Sequence, residues 1–234
     1  MAVAVSLPDM LKVSCIIPAY NEGARIKNVL RAVYKHPLID EVIVVDDGSK
    51  DNTKDIVKEF EGIKLIIQEN KGKSQAVAAG VSQAEGDLLF FLDADLIGLT
   101  PKNISGLIEP VIQDRADISI SLRKNAPWLY RKIGLDFISG ERVFSKKLIE
   151  GDLAEIKKLA RFGLESYLNK LIIKNHCRIK IVRWENVLSP WKYKKSGLFT
   201  GLKGDFFMVL DILKTISIFE LIYQIAKMSY LRVK

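Results

Sequence analysis

The sequence predicts an α/β fold: a mostly parallel β-sheet with helices on both faces and a helical segment at the C-terminus. Three observations carry this expectation. Short β-rich apolar runs alternate with stretches of helical periodicity over the first 122 residues, as in strand–helix–strand crossover units. The runs EVIVVD (41–46) and DLLFFL (87–92) are apolar without alternation, as in parallel strands covered on both faces. The polar residues able to do chemistry cluster just after such runs, where open parallel sheets bind ligands.

The elements follow in order. Residues 12–18 (KVSCIIP) form a first strand. Asn21 is positioned to cap a helix whose apolar residues Ile26, Val29, Leu30, Val33 and Tyr34 recur at helical spacing. Residues 41–46 are the second strand, Asp47-Gly48-Ser49 a turn, and 51–60 a helix with Ile56, Val57 and Phe60 inward. A third strand spans 63–68. The helix expected over 73–84 is rich in small residues, so it packs close to its neighbour. After the fourth strand (87–92), Thr100 caps and Pro101 opens a helix that buries Ile104, Leu107, Ile108, Val111 and Ile112. A fifth strand covers 117–122.

The second half is less regular. Residues 126–142 read as a loop or short helix, 152–160 and 164–175 as helices, and 178–184 as a half-exposed strand. Residues 203–230 read as one or two long apolar helices. The expected division is a catalytic domain over 1–200, with halves at 12–122 and 123–200, followed by a basic amphipathic segment over 201–234.

Composition narrows the function classes. Two cysteines (Cys15, Cys177) and two distant histidines (His36, His176) exclude a disulfide framework, a four-cysteine zinc site and a histidine-rich metal centre. Neither a signal peptide nor an uninterrupted 18-residue apolar stretch is legible, which predicts a cytoplasmic protein. Of the net charge of +8, residues 178–234 carry +7, with eleven Lys and Arg against four Asp and Glu. A basic tail suits an anionic partner: membrane phosphates, a phosphorylated substrate or nucleic acid.

Four constellations carry chemistry. Asp93-Ala94-Asp95 follows a fully apolar strand, and two carboxylates spaced in this way suit a hard divalent cation such as Mg²⁺ or Mn²⁺ bridging to phosphate oxygens. Asp46 and Asp47 end the second strand, where a carboxylate either accepts from a nucleoside or caps the next helix. Asn70-Lys71-Gly72-Lys73-Ser74 precedes a helix and offers backbone N–H groups and lysine to a phosphate or sugar nucleotide. Ile67 stands where a phosphate-binding loop of the G-x-x-x-x-G-K type needs glycine. Glu141 and Glu165, each beside a glycine, are candidate general bases or else carboxylates paired with Arg142 and Arg161. Trp128, Trp184 and Trp191 are packing residues in the first instance.

Taken together, IIPAYNE, VVDDGSKDNT, NKGKSQAVAAG and LFFLDADL stand in one order at one spacing. This set resembles the family 2 glycosyltransferases, which have the Rossmann-like GT-A fold. The resemblance is dense over 12–122 and thins toward residue 200. It implies that Pro18, Ala19, Tyr20 and Glu22 line a nucleoside pocket, and that Asp47 contacts the base or ribose. It also implies that Lys73 lies beside the nucleotide. Asp93 and Ala94 would adjoin the ribose, and Asp95, with Asp93, would bind Mg²⁺ or Mn²⁺. Glu165 matches loosely the segment that carries a catalytic carboxylate, with Glu141 second. Two departures stand out. Relatives acting on polyprenyl phosphates continue the aspartate motif as DADLQ, whereas Ile97 stands here, and NVLSPWKY (186–193) has no late histidine ligand.

The resemblance therefore implies an inverting hexosyltransferase using a UDP- or GDP-sugar, with a hydroxyl or phosphate acceptor. An acceptor that is lipid-linked or phosphorylated, in cell-envelope or lipid-linked glycan synthesis, fits the basic tail. That tail would rest on an anionic membrane surface from the cytoplasmic side, or pack on the sheet or in a homodimer; no nucleic-acid partner is implied. Arg123, Lys124, Arg131 and Lys132 are candidates for gripping the acceptor or diphosphate. Two rival readings remain: an inactive nucleotide-binding module of the same fold, and a phosphotransferase or phosphatase using Asp93 as nucleophile.

Overall fold

The computed structural model describes residues 11–160, 163–190 and 216–233. Its centre is a seven-stranded sheet in the order β3-β2-β1-β4-β6-β5-β7. The strands are β1 (Val13–Ala19), β2 (Glu41–Asp46), β3 (Lys64–Ile67), β4 (Leu88–Phe91), β5 (Ile118–Arg123), β6 (Arg142–Ser145) and β7 (Ile179–Trp184). All neighbours pair in parallel except β6, which runs antiparallel to both β4 and β5. The sheet and its covering helices are the expected mostly parallel α/β architecture.

The helices are α1 (Ile26–Val33), α2 (Thr53–Lys58), α3 (Lys73–Gln83), α4 (Pro101–Ile112), α5 (Trp128–Ile133), α6 (Leu153–Ile156), α7 (Gly163–Lys174) and α8 (Ile218–Tyr230). Alternate side chains of β1 define two cores. Cys15 and Ile17 face α1, α2 and α4 through Val29, Leu30, Val57 and Leu107. Ile16, with Ile43, Val45 and Phe91, faces α3, α7 and α8 through Val77, Leu168 and Met228. The small residues of α3 serve close packing, because a Cβ on Gly80 would stand 2.6 Å from Ile16 Cγ2. At α4, Thr100 and Asn103 form a reciprocal cap with Pro101 at the first turn.

Chain order reverses at β1. The strands β2 and β3 lie to one side of it and β4 to the other, so the crevice between the carboxyl ends of β1 and β4 is the topological switch point. Because β6 is reversed, its first residue meets the last residue of β4, Arg142 opposite Phe91. Glu141 and Arg142 thereby arrive at the same sheet edge as Asp93.

Several expectations are corrected. Asn21 does not cap α1, which begins at Ile26. It sits in left-handed backbone (φ 54°) and ties two loops together, donating its N–H to Ser49 Oγ (2.9 Å) and accepting from the Lys50 N–H (2.8 Å). Asparagine tolerates that backbone region because its short amide bonds locally. The segment 126–142 holds α5 and ends in β6, a strand not expected from the sequence. Of the helix expected over 152–160, only Leu153–Ile156 is α-helical. The long C-terminal helix is described only from Ile218. Arg161, Trp191, Lys203, Lys214 and Lys234 lie outside the described residues.

Candidate active site

The carboxyl ends of β1 and β4, the start of β6 and the first turns of α3 and α7 meet around one cavity, lined by Pro18, Lys73, Asp93, Gly140, Arg142 and Glu165. Lys73 is its hinge. Its Nζ donates to Asp93 Oδ1 (2.8 Å) and to Glu165 Oε1 (2.9 Å), joining residues 92 positions apart. Burial opposes the ammonium charge, but the two carboxylates hold its pKa well above the usual lysine value. The second oxygen of Glu165 is buried without a hydrogen-bond partner.

A layer of buried charge lies behind Asp93. The Arg123 guanidinium reaches Glu141 Oε1 (3.2 Å), Asp136 Oδ2 (3.3 Å) and, at 3.9 Å, Asp93 Oδ2. Arg123 is thus held by three protein carboxylates. Glu141 also accepts from Ser121 Oγ (2.6 Å) and Ser139 Oγ (2.7 Å) and is wholly buried. Burial pushes its pKa up, and the Arg123 charge offsets only part of this. Asp136 is raised for the same reason. Burial would also raise Asp93, but there the charges of Lys73 and Arg123 win and hold it below the usual range. Gly140 is required for the approach, since a Cβ there would stand 2.6 Å from Asp93 Oδ1.

Asp95 has the opposite environment. Partial burial, then repulsion from Asp93, Glu22 and Glu141, pushes its carboxyl up to about 6, and Arg123 offsets little. It has no hydrogen-bond partner among the described residues. A carboxylate crowded by others and left without a donor fits a hard divalent cation. Among the described residues no cluster of three or more His, Cys, Asp or Glu is arranged to hold a metal by itself. Asp95 and Asp93 are the residues that would hold such a cation, and a hard ion such as Mg²⁺ needs only one or two carboxylates from the protein. Ile97 adds no ligand; its N–H donates to Leu188 O (2.8 Å).

The other expected donor-side residues surround this centre. Ala19 and Ala94 are buried, while Tyr20 is 43% exposed at the rim. Glu22 pairs with Arg25 at 2.7 Å. Asp47 accepts from Gln68 Nε2 (2.6 Å) and from the N–H groups of Lys71 (2.9 Å) and Gly72 (2.8 Å). Its carboxylate shapes the loop before α3, and two of the N–H groups expected to meet a phosphate are already used. Trp184 is buried and Trp128 is exposed. Sequence reasoning missed Asp136 and Asn169 and the internal role of Arg123. The one local signal was a strand, ISISLR, that places serine and arginine where an apolar strand would have none.

With this geometry in place, the comparisons with known proteins are specific. The profile of the family described as Glycosyl transferase family 2 matches residues 14–153. A UDP-N-acetylglucosamine–dolichyl-phosphate N-acetylglucosaminyltransferase of Methanococcus voltae is 34% identical, over 58% of this chain and 70% of its own. An undecaprenyl-phosphate 4-deoxy-4-formamido-L-arabinose transferase of Aeromonas hydrophila is 35% identical over 50% of this chain, which spans only 38% of that relative. A dodecaprenyl-phosphate galacturonate synthase of Rhizobium johnstonii is 33% identical over 53% of this chain and 38% of its own. The crystal structure of glucosyl-3-phosphoglycerate synthase from Mycobacterium tuberculosis with Mn²⁺, uridine diphosphate and glucosyl-3-phosphoglycerate superposes with a TM-score of 0.64. It covers 88% of this chain and 80% of that one, at 22% identity. That likeness is one of fold.

Proposed function

The chain belongs to glycosyl transferase family 2 and is a glycosyltransferase; from that premise we propose an inverting enzyme that moves a hexosyl group from a UDP-sugar to the phosphate of a polyprenyl-type lipid. The observation that carries the reading is Asp95 at the β1–β4 switch point, crowded by carboxylates and without a hydrogen-bond donor among the described residues. UDP as donor is supported by the names of the Methanococcus relative and of the Mycobacterium structure, and a lipid phosphate acceptor by three relatives.

In this reading the nucleoside lies along Pro18, Ala19, Tyr20 and Glu22, with Asp47 fixing the loop beside it. Mg²⁺ or Mn²⁺ on Asp95 and Asp93 supplies charge for the departing diphosphate when bound. An acceptor phosphate oxygen attacks C1 from the face opposite the leaving group. The C1–O bond to the β-phosphate breaks, and its electron pair departs with UDP. A lipid phosphate is already an anion, so no proton need be removed, and Glu165 serves to hold Lys73. The unpartnered Glu165 Oε2 favours a second reading, in which it takes a proton from an acceptor hydroxyl. The conservative variant Glu165→Gln separates the two. A loss of more than about 100-fold in kcat favours the base, and a small loss favours the phosphate acceptor.

The exposed face of α8 supports an acceptor held at a membrane. Ile218, Phe219, Ile222, Tyr223 and Tyr230 are exposed along one side of it, with Phe219 82% exposed and Lys227 among them. No helix among the described residues is long and apolar enough to cross a membrane. An apolar face beside Lys227 suits the plane of an anionic bilayer, which supports a peripheral place for the protein on a membrane.

The test of function is a thermal-shift panel of nucleoside diphosphates and nucleotide sugars with and without Mn²⁺. A Mn²⁺-dependent rise with UDP or a UDP-sugar, about 2.7 kcal/mol at 100 Kd, is expected. A response to no nucleotide would overturn the reading. Co-sedimentation with anionic vesicles at low salt is expected for the intact chain; failure to sediment removes the membrane placement alone.

A further inference from the structure

We propose that α8 belongs to the catalytic unit, with Gln224 as a positioning residue that fixes the first turn of α7, and hence Glu165 and Lys73, through a buried chain of side-chain hydrogen bonds. The chain is continuous. Gln224 Nε2 donates to Ser166 Oγ (3.0 Å), the residue next to Glu165, and to Glu220 Oε1 (2.9 Å). Gln224 Oε1 accepts from Asn169 Nδ2 (3.1 Å), and Asn169 Oδ1 accepts from Arg142 Nη1 (2.7 Å). Arg142 Nε donates to the Ser139 carbonyl (2.8 Å), and its other Nη to the Phe137 carbonyl (2.7 Å). Gly140, which follows Ser139, is the residue against which the Asp93 carboxylate lies.

Gln224, Asn169, Arg142 and Ser139 are all fully buried. Leu221, Ile225 and Met228 already pack α8 on the core, so adhesion of the helix needs no amide. A buried glutamine with both ends bonded brings directionality instead: it fixes where α7 sits along α8 as well as that it sits there. Both carboxylates that hold Lys73 are reached by this chain, Glu165 through Ser166 and Asp93 through the Ser139–Gly140 turn.

The activity arm of the test rests on the transferase reading; the exchange arm does not. Gln224→Met removes the amide and keeps the length, whereas Ile225→Ala removes packing and leaves the hydrogen bonds. For Gln224→Met we expect kcat to fall about tenfold, from misplacement of groups at the reacting centre. Donor KM should stay within about twofold, as expected when ground-state binding is untouched. Amide hydrogen exchange over residues 164–169 should quicken while β1 and β2 stay protected. Ile225→Ala should lower the Tm and leave kcat and the 164–169 exchange near wild type.

Equal behaviour of the two variants, or a Gln224→Met enzyme with wild-type kcat and exchange, overturns the proposal. Should Gln224→Met not fold, Gln224→Glu keeps the acceptor for Asn169, loses the donors to Ser166, and carries the same expectation. Should the wild type transfer no sugar, the functional reading fails, and the exchange comparison alone still decides the coupling.

Discussion

The side of the sheet proposed to hold the donor, β1 to β4, and the side proposed to face the acceptor, β5 to β7 with α7 and α8, are built on different principles. On the donor side, polar side chains stand at strand ends and bond to nearby loop backbone, as Asp47 does with Lys71 and Gly72 and Asp51 with Gly23. On the acceptor side, charged groups lie inside the core and bond to one another: Arg123 with Asp136 and Glu141, Arg142 with Asn169. The first arrangement yields to solvent when one partner is lost, because the loops lie at the surface. The second leaves an uncompensated buried charge, which is far more costly.

The sharpest way to break this comparison is at Arg123. Arg123→Met strands Asp136 and Glu141, and should cost about 3–5 kcal/mol of stability in urea unfolding. Lys27→Ala, which removes an exposed pair with Glu59 at 2.6 Å, should change stability by about 1 kcal/mol or less. Comparable losses would erase the distinction. Next in size is Asp95→Ala. The protein should keep its Tm, and transfer should fall about 100-fold, or about 2.7 kcal/mol of transition-state stabilisation. A folded variant with full rate would falsify the metal role.

A smaller effect is expected at the seam between the halves. Gly140→Ala forces Asp93 to shift, which should lower kcat/KM about tenfold, or about 1.4 kcal/mol, with little change in unfolding. The smallest concerns the donor side and pH. His36 is buried, bonded at Nδ1 by the Leu38 N–H and at Nε2 facing Pro101 O and Ser105 Oγ. Burial lowers its pKa, outweighing the Pro101 carbonyl. The unfolded chain therefore takes up the proton first as pH falls below about 6.5, and stability declines from there down to the depressed native pKa. Above that window His36 contributes no pH dependence. His36→Gln should flatten the Tm profile between pH 5 and 7 relative to wild type, and an unchanged slope would assign the dependence elsewhere.

The same contrast explains what the sequence revealed. β1, β2 and β4 were legible because each is a run of apolar residues closely followed by a carboxylate. The parallel sheet and the location of Asp93 and Asp95 follow from those runs. Asn21 was misread because a capping side chain and a left-handed loop residue have the same composition, and only the Ser49–Lys50 loop decides between them. β6 was missed because RVFS is short and opens on a buried arginine, whose partner Asn169 lies 27 residues away. The Lys73–Glu165 pair spans 92 residues, and no periodicity or local motif encodes such a contact. The three carboxylates that hold Arg123 are scattered along the chain, so no local motif announces them.

The reversed direction of β6 has a consequence for how such an enzyme diversifies. A strand running with its neighbours offers the site only the loop that follows it, whereas β6 offers the loop that precedes it. The excursion from residue 124 to residue 141 therefore leaves the sheet at the end of β5 and returns at the start of β6, both on the working edge. It behaves as a cassette, clamped at either end by Arg123 and Arg142. Its second part, Asp136 to Glu141, is tied into the buried charge layer, so content can vary only in the exposed first part, around Trp128 and Leu129, while the pairing of β4, β6 and β5 stays in register.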